Sequence, residues 1–187
     1  MIMWNIPNVI TILRVLLIPL FVSAFYMQAE FSKLLAATLF AIAALSDWAD
    51  GYLARRLNCV TPFGAFLDPV ADKLIVVVAL VILVEEHSSV WIVVPAMTII
   101  GREIIISALR EWMSSIGLSK TVEVSFVGKI KTWLQMVSII VLILSSEEHV
   151  FLMNSGLLIL YISAALALYS MSVYVFQAWD ATKNSAD

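Results

Sequence analysis

Long apolar stretches alternate with short polar segments along the whole chain. A helix needs about 20 apolar residues to cross a hydrocarbon core of roughly 30 Å. Backbone groups in lipid must be paired internally, and these runs are too long and continuous for alternating barrel strands. The pattern therefore predicts an all-α integral membrane protein, a bundle of six transmembrane helices near residues 8–27, 34–55, 67–84, 90–112, 124–145 and 150–177.

The composition agrees with a chain that folds in lipid. Of 187 residues, 62% are hydrophobic and 13% are charged, whereas a soluble domain carries about 25% charged residues. The joining segments are too short for a separate soluble domain, so we expect one transmembrane domain over residues 1–187, with a short juxtamembrane segment at the amino terminus. The net charge of −3 and the scattered basic residues give no footprint for a nucleic-acid partner.

Basic residues are distributed unequally between the two sides of the predicted bundle. One side carries Arg55, Arg56, Arg110, Lys120, Lys129, Lys131 and Lys183. The opposite loops, 85–87 and 147–149, contain Glu and His, and Lys33 is the basic residue left on that side. Lys and Arg favour the cytoplasmic side. We therefore expect both termini in the cytoplasm and an even number of spans.

Charged residues also gather where the second and third spans approach each other. They are Asp47, Asp50, Arg55, Arg56, Asp68, Asp72 and Lys73. Charges at membrane depth are costly and normally face the bundle interior or a polar cavity. Spacings of three and four residues place each aspartate pair on one helix face. An antiparallel hairpin, its connection at Leu57–Phe63 containing Pro62 to help end a helix, would bring four carboxylates together.

Four neighbouring carboxylates must either take up protons or hold cations. Oxygen ligands suit Mg²⁺, Mn²⁺ or Ca²⁺, and the alternative is that each Asp pairs with a nearby Arg or Lys. Gly51 and Gly64 lie beside these aspartates, Ala54 keeps the groove shallow, and Arg55 offers a planar fork for phosphate oxygens. Close helix packing could explain either glycine alone, but the combination favours a pyrophosphate site with bound metal.

The motif Asp47-x-x-Asp50-Gly51-x-x-Ala54-Arg55, eight residues, then Gly64-x-x-x-Asp68-x-x-x-Asp72, resembles the signature of the CDP-alcohol phosphotransferases at all eight fixed positions. The resemblance implies a six-helix fold, usually dimeric, with two divalent cations, Mg²⁺ or Mn²⁺, at the cytoplasmic membrane face. It implies that Asp47, Asp50 and Asp68 are metal ligands and that Asp72 is both ligand and catalytic base. It also implies CDP-lipid contacts from Gly51, Ala54, Arg55, Thr61 and Gly64. The amino-terminal pattern of Asn5, Pro7, Thr11 and Arg14 is similar to a second family feature, which lines the nucleotide–lipid entrance.

The family uses several alcohol acceptors, so the motif leaves the acceptor open. Arg102 and Arg110 lie nearly two helical turns apart and could line one face, and Lys129 and Lys131 open the fifth span. Buried basic groups need anionic partners. These groups could pair with Glu103, Glu111 or the aspartates, but their surplus fits a phosphorylated acceptor, and we assign all four to its site.

Segments 5–7, 63–73 and 102–111 are similar to bacterial members of this family that use CDP-diacylglycerol and glycerol 3-phosphate. The resemblance thus implies transfer of a phosphatidyl group in the bacterial cytoplasmic membrane, within phospholipid biosynthesis, by a homodimer. Inositol phosphate is an alternative acceptor. A cation transporter and a non-catalytic lipid-binding protein are alternatives from other classes, since intramembrane carboxylates also line ion paths.

Overall fold

A computed structural model gives the architecture of the chain. It describes residues 6–57, 62–118, 126–145 and 149–184. Within these ranges, side chains are described for residues 9–46, 64, 67, 69–118, 130–145 and 149–183. All regular structure in the described ranges is helical, as the long apolar stretches predict.

Six helices follow one another with short connections. They are α1 (Ile6–Phe25), α2 (Ser32–Leu57), α3 (Pro62–His87), α4 (Val90–Ser115), α5 (Phe126–Leu144) and α6 (Val150–Asn184). The number and order of helices predicted from the sequence are thus confirmed over the described residues. The helix α6 continues seven residues beyond the predicted end of the last apolar stretch.

Proline and glycine mark two helix ends differently. The prediction that Pro62 lies in the connection was wrong, because Pro62 is the first residue of α3. At a first helical position the missing N–H is no loss, since that group has no partner within the helix. Gly117, with φ +80°, ends α4 in a Schellman motif, where the amides of Gly117 and Leu118 donate to the carbonyl oxygens of Ser114 and Met113.

The chain divides into two compact units. The first comprises residues 1–83 and 139–153. Within it, α1 and α2 form a hairpin whose contact includes the rings of Phe21 and Phe40, 6.0 Å apart between centroids. Lys33, near the start of α2, donates from Nζ to the carbonyl oxygen of Ser145 at 2.9 Å, which ties α2 to the end of α5.

The second unit comprises residues 84–138 and 154–187. Two buried serines join α5 to α6: Ser138 Oγ donates to the carbonyl oxygen of Gly156 at 2.7 Å, and Ser163 Oγ donates to that of Lys131 at 3.2 Å. From Lys131 to Ser138, seven residues forward along α5, the partner on α6 changes from Ser163 to Gly156, seven residues backward. The two helices therefore run antiparallel, with polar contacts two turns apart.

Among the described residues, large apolar side chains are exposed on all six helices, and several alanines are buried beside the larger core side chains. Trp91, Phe151 and Trp179 are exposed, whereas Ala36, Ala79 and Ala167 are among the buried residues. Exposed apolar surface of this extent marks interaction with lipid or protein, and small buried residues allow helices in membranes to approach closely. Among the described residues, α4 and the Val150–Lys183 part of α6 are long and apolar enough to cross a membrane. These features are consistent with a membrane protein.

We expect Phe40→Ala to destabilise the α1–α2 hairpin. Phe40 is fully buried, and a cavity left by a phenylalanine costs roughly 3 kcal/mol. Unfolding in mixed micelles of increasing sodium dodecyl sulfate content measures the change in free energy. Phe31→Ala is the matched control, because Phe31 is 58% exposed. Equal losses of stability in both variants would contradict the packing role of Phe40.

Candidate active site

The backbone of the aspartate motif is helical on both sides of the connection. Asp47 and Asp50 belong to α2, and Asp68 and Asp72 belong to α3. Their spacings of three and four residues therefore do place each pair on one helix face. Asp72 is partly buried and follows the fully buried Ala71.

For several predicted site residues, the structure describes the helical backbone but not the side chain. These residues are Pro7, Asp47, Asp50, Gly51, Ala54, Arg55, Asp68 and Lys129. Asn5 and Thr61 lie wholly outside the described residues. The convergence of the four carboxylates therefore stays a prediction. Gly64 lies in α3 and is buried.

Two of the predicted lipid-entrance residues are buried in the first unit. Thr11 and Arg14 lie on α1, three residues apart and thus on one face, and neither is exposed by more than 1%. Both have partners within the structure. A buried guanidinium in an apolar helix is expensive, which favours a polar role for this face of α1.

A basic centre lies in the second unit, where α4, α5 and α6 meet. Arg102 on α4 and Lys131 on α5 are only 7% and 3% exposed. Glu103 Oε1 accepts from Arg102 Nη1 at 2.8 Å and from Lys131 Nζ at 2.7 Å. Arg102 Nη2 donates to Ser170 Oγ on α6 at 3.1 Å. One carboxylate oxygen and one hydroxyl thus join three helices around two buried cations.

Arg110 lies at the side of this centre, two turns further along α4. Its Cζ atom lies 5.8 Å from the centre of the Tyr174 ring, within cation–π range. Unlike Arg102, Arg110 is exposed, and its positive charge repels that of Lys131. Arg102 and Arg110 both contact α6, at Ser170 and Tyr174, so the prediction that they share one face of α4 is confirmed.

The contacts of the basic centre show which carboxylate pairs with two of the predicted acceptor-binding residues. The alternative in which basic groups pair with Glu103 is confirmed for Arg102 and Lys131. Their charges still outnumber the carboxylate, so binding of an anion by the same residues is compatible with these pairs and stays a prediction. Sequence reasoning missed Ser170 and Tyr174. Their one signal was the recurrence of polar residues at Ser163, Ser170 and Tyr174, seven and four positions apart in an apolar helix.

Comparison with known proteins decides the family. A model of the CDP-alcohol phosphatidyltransferase family matches residues 4–174, which include the whole aspartate motif and the basic centre. The chain belongs to this family.

Relatives in the family cover nearly all of the chain. A protein of Pseudomonas fluorescens, named CDP-diacylglycerol–glycerol-3-phosphate 3-phosphatidyltransferase, is 49% identical over 181 residues, which cover 94% of this chain and 90% of the relative. Proteins with the same name from Yersinia pestis (strain Pestoides F) and Escherichia coli (strain K12) are 50% and 47% identical over 175 residues. In each case these residues cover 94% of this chain and 95% of the relative.

The donor set of the motif suits a hard cation in a CDP-alcohol phosphatidyltransferase. Its four aspartates offer only carboxylate oxygens, the ligands that Mg²⁺ and Mn²⁺ prefer, and the backbone places them pairwise on α2 and α3. Among the side chains that the structure describes, no three His, Cys, Asp or Glu residues form a metal-binding group, but that set includes only Asp72 of the four aspartates. The residue types and their helical spacing fit the metal.

Proposed function

We propose that this chain transfers the phosphatidyl group of CDP-diacylglycerol to glycerol 3-phosphate, giving phosphatidylglycerophosphate and CMP. One observation carries the proposal: relatives that are named for this reaction have 47–50% sequence identity to this chain over 94% of its length. The family motif is complete within the matched region. The basic centre of α4–α6 is a further reason to propose a phosphorylated acceptor.

The acceptor phosphate is assigned to Arg102, Arg110, Lys129 and Lys131. A phosphate monoester carries a charge of about −1.5 to −2 at pH 7. Arg102, Arg110 and Lys131 supply three positive charges against the single negative charge of Glu103. Guanidinium and ammonium groups donate to phosphate oxygens in short, charge-assisted hydrogen bonds. The described centre thus has both the charge and the unused donors for this ligand.

Asp47, Asp50, Asp68 and Asp72 would hold two divalent cations, Mg²⁺ or Mn²⁺. When bound, such cations neutralise a diphosphate and stabilise charge on the attacking and leaving oxygens. Arg55, with Gly51, Ala54, Thr61 and Gly64, would receive the diphosphate of the lipid. Asn5, Pro7, Thr11 and Arg14 would line its entrance, and buried Thr11 and Arg14 support a polar face there.

Asp72 is the proposed general base. Its carboxylate takes the proton from the primary hydroxyl group of glycerol 3-phosphate, and that oxygen attacks the β-phosphorus of CDP-diacylglycerol. The bond between the β-phosphorus and the bridging oxygen breaks, and CMP leaves with the α-phosphate. The residues require no phosphorylated enzyme intermediate.

The same proposal places the six helices across the bacterial cytoplasmic membrane. Exposed apolar side chains on each of them and the unequal distribution of Lys and Arg support spans with both termini and the active site on the cytoplasmic side. The proposed assembly is the homodimer that the family resemblance implies.

The purified protein should release CMP from CDP-diacylglycerol only when both glycerol 3-phosphate and Mg²⁺ or Mn²⁺ are present. The acceptor supplies the attacking oxygen, and the cation offsets the diphosphate charge. Chromatographic measurement of CMP and of phosphatidylglycerophosphate in mixed micelles tests this. Inositol phosphate and serine serve as competing acceptors. CMP release that another acceptor supports better, or that continues after chelation of the metal, would overturn the corresponding part of the proposal.

Asp72→Asn should reduce transfer by a factor of 10² or more, because loss of a general base typically costs 10²–10⁴-fold in rate. The amide keeps the size of the carboxyl group, so metal-dependent binding of CDP-diacylglycerol should survive in part. Turnover and lipid binding are measured on the same preparation. Asp180→Asn, at an exposed position of α6, is the control and should retain activity. Near-normal turnover of Asp72→Asn would refute the role of the base.

Single cysteines should react from opposite sides of the membrane when placed at Glu86 and Lys183. Glu86 lies near the end of α3, and Lys183 lies near the end of α6, where the charge distribution predicts the outer and the cytoplasmic side. Cys59→Ser provides the background. An impermeant maleimide applied to spheroplasts should label Glu86→Cys at once but Lys183→Cys only after permeabilisation. Labelling of both from outside would exclude this topology.

A further inference from the structure

The Glu103 carboxylate is the charged group of the basic centre that the proposed reaction does not use for binding. It lies between two deeply buried cations of the second unit, Arg102 and Lys131, and accepts from both through a single oxygen, Oε1. Glu103 is 22% exposed, more than either Arg102 or Lys131. Both cations are therefore buried, whereas the carboxylate that they share is partly exposed.

The hydrogen bonds of the centre leave donors unused. Among the described residues, Arg102 Nε is buried without a partner, and Lys131 Nζ, which has three protons, donates to one acceptor, Glu103 Oε1. Buried polar groups are paired in most proteins, by protein, water or ligand. These unused donors therefore point to an anion as a further partner of the centre.

Glu103 also controls where the amine of Lys131 lies. A lysine side chain has four rotatable methylene groups and a compact charge that no planar geometry orients. The bond of 2.7 Å to Glu103 fixes that charge beside α4, while the neighbouring cation, Arg102, is held by Ser170 on α6. Without the carboxylate, two like charges that now share one oxygen atom would repel each other, and the flexible partner, Lys131, would move.

We propose that Glu103 is a positioning residue for acceptor binding: it holds Lys131 and Arg102 together as one phosphate-binding unit and lowers their joint charge. This inference rests on the proposed function and assigns to Glu103 a part in the same site. Glu103 does not touch the phosphate in this proposal and acts through Lys131. The expected ligand is the phosphate group of glycerol 3-phosphate.

Charge alone makes the opposite prediction. If Glu103 merely offset positive charge, its neutralisation would strengthen the attraction for a phosphate dianion and lower the KM for glycerol 3-phosphate. If Glu103 positions Lys131, the same change disorders a binding group and raises that KM. Glu103→Gln keeps the length of the side chain and one oxygen acceptor, so it separates the two effects.

The test is the steady-state kinetics of CMP release with each substrate varied in turn. Glu103→Gln should raise the KM for glycerol 3-phosphate about tenfold and change the KM for CDP-diacylglycerol by less than about twofold. Glu103→Asp, which keeps the charge on a shorter arm, should show a smaller rise. Glu111→Gln is the matched control, because Glu111 is an exposed glutamate on the same helix, and its kinetics should equal those of the wild type.

A double-mutant cycle shows whether Glu103 acts through Lys131. Lys131→Gln should itself raise the KM for glycerol 3-phosphate, and adding Glu103→Gln to it should change that KM by less than about twofold, because the group being positioned is already gone. The proposal would be overturned if the double variant raised the KM for glycerol 3-phosphate by the product of the two single effects. A lower KM in Glu103→Gln alone would overturn it as well. If Glu103→Gln does not fold, Glu103→Asp carries the test, and an unchanged acceptor KM there would overturn it.

The same experiment separates the two levels of inference. A wild-type protein that releases no CMP with glycerol 3-phosphate would overturn the proposed function itself. An active wild type, together with either contradicting result in the variants, would overturn only the role of Glu103.

Discussion

A charged side chain in an apolar surrounding must be paired, hydrogen-bonded or carried to the water interface. The second unit meets this constraint by bringing Arg102, Glu103 and Lys131 together from two helices and attaching them to Ser170 on a third. Each contact limits the rotation of the helix that carries it. The need to pair these charges therefore helps to determine how α4, α5 and α6 face one another.

Packing in a membrane lacks the hydrophobic drive that assembles soluble bundles, because lipid tails are as apolar as the side chains themselves. Close approach and buried hydrogen bonds have to supply the preference. The serine bonds between α5 and α6 and the buried alanines of α2, α3 and α6 fit this requirement. The aromatic contact of Phe21 with Phe40 adds shape to the α1–α2 hairpin. The architecture thus combines small residues for proximity with a few directional contacts for register.

The helices could be predicted because each apolar run matches the length of a span, but their ends could not be predicted equally well. Proline is compatible with the end of one helix and the first turn of the next, so sequence alone did not show that Pro62 begins α3. The apolar criterion stopped near residue 177, whereas α6 continues to Asn184. Helical hydrogen bonds continue where the sequence becomes polar, so the end of the apolar stretch does not mark the end of the helix.

The site was predictable to the extent that spacing along one helix determines it. The aspartate spacings and the shared face of Arg102 and Arg110 follow from helical periodicity. The partner of Arg102 did not follow, because Glu103, Glu111 and the aspartates were all candidates by charge. Arg102 pairs with its neighbour on α4, Glu103, and Lys131, 28 residues further along the chain, approaches the same oxygen of Glu103. Ser170 and Tyr174 lie still further away in sequence, and no local pattern connects them to α4.

The unequal number of charges in this centre argues for binding rather than for stability. Replacing a buried ion pair by apolar residues of similar volume is often neutral or stabilising. Two cations on one carboxylate are less favourable still, because one positive charge stays uncompensated. In the proposed site, a bound phosphate would remove that excess, so the electrostatic cost of the centre without its ligand would contribute to affinity. The excess of positive charge therefore supports the proposed role in acceptor binding, beside the role of the same contacts in orienting the helices.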